Sequence, residues 1–71
     1  MGNKNYITSF KELYHEVIDE NNNIKACGRE KCLELIRLAH LITGGLNTYG
    51  DSNTGHINLD KMIELYSILE K

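Results

Sequence analysis

The sequence predicts an all-α fold: a small three-helix domain made of an antiparallel helical hairpin and a third helix reached through a long polar loop. Three observations carry this. Apolar residues recur at helical spacing in three separate segments. Cap and stop residues bracket those segments. No proline interrupts any of them.

The first segment spans about 10–20. Phe10, Leu13, Tyr14, Val17 and Ile18 fall on one stripe. Ser9 followed by Glu12 has the form of a capping box, in which the hydroxyl and the carboxylate satisfy each other's backbone amides. Asn21, Asn22 and Asn23 end the segment with residues that tolerate turn geometry. The second segment spans 29–42, or starts as early as Ile24. Cys32, Leu35, Ile36, Leu38, Ala39 and Ile42 make its core face. Gly28 either opens this helix or weakens its first turn, and Gly44 with Gly45 stops it in the left-handed conformation. The third segment spans 59–70 and buries Leu59, Met62, Ile63, Leu65, Tyr66 and Leu69. Asn58 is its N-cap, and Ile57 against Met62 fits a hydrophobic staple. Ile68 points away from the stripe.

The chain of 71 residues is read as one domain, 1–71, with a loop over 43–56. Leu46 and Tyr49 are the only large apolar residues in that loop, and four glycines break it. Connections of this length in small domains are either functional or plain solvated linkers with a turn, here at Tyr49-Gly50-Asp51, and both readings stay open. A domain this small buries only roughly 60% of its unfolded surface. It therefore gains from a staple or from association. Cys27 and Cys32, with the scattered His15, His40 and His56, form neither a disulfide framework nor a zinc pattern. A homo-oligomer is expected, and no cofactor.

The formal net charge of -2 argues against a duplex nucleic acid partner. No apolar run matches a membrane span. The polar N-terminus carries no signal-peptide core, and Tyr6 stands where a myristoylation start needs Ser or Thr. A reducing, cytoplasmic setting is expected, with both thiols free.

Two surfaces are candidates for binding. On the outer face of the second helix, Leu33 and Leu41 flank Arg37 and His40, a strip suited to a protein partner or a second copy. The second candidate takes a small anionic ligand. Lys25, Arg29 and Lys31 gather at the start of the second helix, and Asn47, Thr48, Tyr49 and Asn53 lie in the glycine-rich loop. Glu12, Glu16, Asp19 and Glu20 load the end of the first helix. Pairing across the hairpin would offset the unfavourable dipole placement of both clusters. A calcium loop over 50–61 fails, because Gly50 and Lys61 stand where acids are required. A helix-turn-helix reader fails on the length of the connection. Cys32 lies on a core face, Cys27 near cations, and no nucleophile can be paired with a base, so no enzyme is expected.

Phe10-Lys-Glu-Leu, the Asn-ended first helix and the run Arg29-Glu-Lys-Cys-Leu-Glu-Leu-Ile-Arg-Leu38 resemble the helical hairpin of phage proteins that sequester cyclic oligonucleotide signals. The likeness covers about 30 residues and does not extend over 44–71. It implies a non-enzymatic oligomer that binds a cyclic nucleotide, with Lys25, Arg29 or Lys31 at its phosphates. The Asn- and Lys-rich composition also suits a phage or mobile element. The sequence thus points to a self-associating interaction module or inhibitor, with a small-anion sponge as the alternative.

Overall fold

The computed structural model describes residues 2–26, 28–45 and 47–70, with side chains from Tyr6 onward. Cys27 and Leu46 lie outside the described residues. Helix α1 spans Gly2–Val17, α2 Arg29–Thr43 and α3 Leu59–Leu69. Between α2 and α3 the chain forms two short strands, β1 (Gly50–Asp51) and β2 (His56–Ile57). They pair antiparallel, with Gly50 opposite Ile57 and Asp51 opposite His56. No helix among the described residues is long and apolar enough to cross a membrane.

The expectation of an all-α fold is therefore corrected. The fold is mostly helical with a small β-hairpin, and the 43–56 segment is partly ordered rather than a plain loop. Local polar chemistry builds the hairpin. The Asp51 carboxylate accepts from Asn53 N at 2.8 Å, and the Asp51 carbonyl accepts from Gly55 N at 2.8 Å. Such side-chain-to-backbone bonds favour turns over helix. A two-stranded hairpin is marginal in isolation. Here Ile57 is buried in the main core, and Gly50 lies directly against Ile36 of α2.

Helix α1 starts well before the expected boundary near residue 10. Ile7 is partly buried and extends the stripe of Phe10, Tyr14 and Val17 by one more turn. Ser9 consequently sits inside the helix, exposed, and does not open it. The helix also ends earlier than expected, at Val17 rather than near Glu20. Asp19 is responsible, because its Oδ1 accepts from both Asn21 N and Asn23 N at 2.9 Å. Asn22 takes a left-handed φ of 63°, and Ile18 bridges to Ile24 across the turn.

The other boundaries follow the sequence closely. Gly28 occupies the N-cap of α2, and Gly44 its C-cap at φ 75°, donating to His40 O at 2.7 Å. Asn58 caps α3, its side chain accepting from Lys61 N at 3.4 Å. Phe10, Val17, Leu35, Ile36, Ala39 and Met62 are fully buried and centre one core shared by all three helices and the hairpin.

The two charge clusters meet as the antiparallel hairpin requires. Lys31 Nζ lies 2.7 Å from Glu16 Oε1, with both side chains about half exposed. The Lys31 ammonium, by hydrogen bond first and by charge second, holds the Glu16 carboxyl below the usual carboxylate range. Exposed pairs of this kind add little stability and are screened by salt.

Candidate functional site

Helix spacing puts Arg37, His40 and Leu41 on one flank of α2, at i, i+3 and i+4. The hairpin then adds a second wall. Arg37, His40, Leu41, Gly44, Gly45, Ser52 and Asn53 line one cleft of about 530 Å³, within the usual size for ligand pockets. Arg37 is the only charged residue among the described residues lining it. Its guanidinium has no hydrogen-bond or ion-pair partner among the described residues. Leu41 is 48% exposed and supplies an apolar edge.

His40 fixes the geometry. Its Nε2 accepts from Tyr49 N at 3.3 Å, which ties the segment leading into β1 to the last turn of α2. Tyr49 itself is partly buried against the core, its ring tilted 50° from that of His40 at 5.9 Å. That placement turns Tyr49 toward the core, and it is not among the residues lining the cleft. Asn47 and Thr48 are exposed but do not line the cleft. The Thr48 carbonyl accepts from Asn58 Nδ2 at 3.2 Å.

The cations proposed for an anion, Lys25, Arg29 and Lys31, are each engaged within the fold. Lys25 Nζ donates to His15 O at 2.8 Å, Lys31 pairs with Glu16, and Arg29 Nη2 donates to Asn53 O at 2.7 Å. Each ties one part of the fold to another. Arg29 in particular clamps the hairpin tip to the start of α2. The strip from Leu33 to Leu41 is also divided. A methyl added at Gly55 would lie 3.6 Å from Leu33 Cγ, so the hairpin tip partly covers Leu33 and leaves Leu41 open. Ser52, Gly44 and Gly45 join the cleft although helix periodicity alone gives no sign of it.

A second group of polar and aromatic residues lies at the far ends of α1 and α3. Tyr14 stacks on Tyr66, centroids 4.1 Å apart and planes within 7°. His15 stands edge-on to both rings, and a hydrogen bond of 2.7 Å joins its Nε2 to the Tyr66 hydroxyl. Burial pushes the Tyr14 phenol above the usual tyrosine value. The Glu70 carboxylate, by hydrogen bond first, pushes Tyr66 up as well, with burial and charge adding to it. A raised folded-state value means that the neutral phenol is favoured by folding. The resulting stability is whole below the unfolded tyrosine value near 10 and is lost as pH rises through the raised values. Stability read from equilibrium unfolding should therefore fall above about pH 10, and less steeply in Tyr66→Phe. Equal steepness in the two proteins would show that Tyr66 does not contribute.

Comparison with known proteins gives no match: neither a family model, nor a curated protein, nor a solved structure aligns significantly with this chain.

Proposed function

We propose that this is a small non-catalytic binding protein whose contact face is the cleft between the end of α2 and the β-hairpin. The observation that carries this reading is the meeting of Arg37, His40 and Leu41 with Ser52 and Asn53 in one cleft. An unpaired guanidinium beside an open leucine suits a protein surface that presents a carboxylate next to an apolar side chain. Self-association is the form of contact that best fits so small a core. Ser52 and His40 share the cleft, but His40 Nε2 already accepts a backbone amide. That duty is positional, and it supports a binding role over a catalytic one.

Capture of a small anion is the second reading. It is favoured by one observation: among the described residues lining the cleft, Arg37 is charged and none is acidic. Native mass spectrometry and sedimentation of the protein purified from its own host test both. For a protein contact, Leu41→Glu and Arg37→Glu should each weaken self-association or partner binding about tenfold or more, with helicity unchanged. For small-anion capture, a retained ligand should be lost in Arg37→Gln and kept in Leu41→Glu. Unchanged assembly and unchanged ligand content in all three variants would overturn the assignment of the cleft.

A further inference from the structure

The cavity at the far ends of α1 and α3 has the opposite electrostatic character from the α2 cleft and shares no residue with it. It measures about 580 Å³, and Tyr14, His15, Tyr66, Ile18, Ile63, Asp19, Glu20 and Lys25 are among its lining. We propose that this cavity is a binding site for a guanidinium group, an arginine head stacked on the Tyr66 ring and paired with Glu20.

Four features converge on that chemistry. The first is the helix ends. α1 stops at Val17 and α3 at Leu69, and the contact of Tyr14 and His15 with Tyr66 brings these two ends together. Helix C-termini carry partial negative charge and favour cations. The second is side-chain charge. Among the described residues lining the cavity, Asp19 and Glu20 stand against a single cation, Lys25.

The third feature is the state of those charges. Lys25 Nζ is engaged by the His15 carbonyl, so the chain's own ammonium already answers the field at the end of α1. Asp19 spends Oδ1 on two turn amides. Glu20 is exposed and has no partner among the described residues. It is the open carboxylate of the site.

The fourth is the aromatic surface. Tyr14 is 5% exposed beneath the stack, whereas Tyr66 is partly open and lines the cavity. His15, edge-on at 5.3 Å and hydrogen-bonded to the phenol, holds that ring in place. A planar cation stacks on such a ring while bonding a carboxylate through its fork of N–H donors. A compact ammonium gains the charge but not the stack. A nucleotide gains the stack but brings phosphate against Asp19 and Glu20.

The test uses the whole protein and N-acetyl-arginine amide, with the lysine and citrulline amides alongside. The chain has no tryptophan, and two of its four tyrosines, Tyr14 and Tyr66, form the stack, so tyrosine emission gives a first readout and the resonances of the site localise it. Amide and ring resonances of His15, Glu20 and Tyr66 should shift saturably with the arginine compound. The citrulline compound, equal in shape but uncharged, should bind about tenfold more weakly. Glu20→Gln, at an exposed position, should weaken arginine binding several-fold without loss of fold. Tyr66→Phe should retain binding, and Tyr66→Leu should lose it. A short arginine peptide binding much more tightly than the amide would identify the source as a protein partner, and equal binding would identify a free guanidinium compound. Citrulline binding as well as arginine, or no saturable shift with either, would overturn the proposal.

Discussion

Phe10→Ala is expected to cost about 3–5 kcal/mol, the usual range for emptying a buried aromatic site. Domains of this length hold roughly 4–10 kcal/mol in total, so the variant should be close to its unfolding midpoint at room temperature. The reason is position as much as size. Phe10 is fully buried, and its ring lies 6.0 Å from that of Tyr14, which in turn carries Tyr66. Removing the ring leaves a void under the stack where α1 and α3 meet. Urea unfolding followed by circular dichroism would measure the loss. A cost below about 1.5 kcal/mol would mean that the site collapses readily and that Phe10 does not hold the helices together.

The sequence reveals most where one residue's own chemistry decides a boundary. Gly44 stops α2 because glycine takes the left-handed conformation at φ 75° without strain. Asn58 starts α3 because its side chain accepts from Lys61 N. The pairing of Glu16 with Lys31 likewise follows from charges placed at facing ends of a helical hairpin. Elsewhere a local signal loses to a longer-range one. Ser9 and Glu12 have the form of a helix start, yet Ile7 continues the apolar stripe and burial carries α1 through them.

The β-hairpin is hard to read for a different reason. Its strands hold two residues each, too few for an alternating pattern to show. Its visible sign is the Asp-Ser-Asn-Thr-Gly turn at 51–55 followed by a single buried Ile57. Half of the α2 cleft was legible from helix spacing, since Arg37, His40 and Leu41 must share a flank. Ser52 and Asn53 reach that flank only because the hairpin docks on Ile36. The cluster of His15 with Tyr66 joins positions 51 residues apart in sequence, a contact that depends on the direction of α3 and leaves no local trace.

Gly50→Ala is the substitution expected to separate the hairpin from the helices. Gly50 has a φ of 149°, and a methyl placed there would lie 2.7 Å from the His56 carbonyl oxygen and 2.7 Å from Ile36 Cδ1. Neither neighbour can give way cheaply. The carbonyl belongs to the paired strand, and Ile36 is fully buried. Overpacking and backbone strain together should cost roughly 2–5 kcal/mol. The sharper comparison is with Gly44→Ala. That residue also has positive φ, but a methyl there meets nothing within 4 Å, so it should cost only the left-handed penalty of about 1–2 kcal/mol. Hydrogen exchange gives the local readout. The Asn58 amide, bonded to the Tyr49 carbonyl at 3.1 Å, and the Gly55 amide, bonded to Asp51, should lose protection in Gly50→Ala before the amides of α2 do. Binding at the cleft should fall with them, because Ser52 and Asn53 are carried by the displaced hairpin. If Gly50→Ala costs no more than Gly44→Ala, the hairpin is not pinned against Ile36, and the cleft has no fixed second wall.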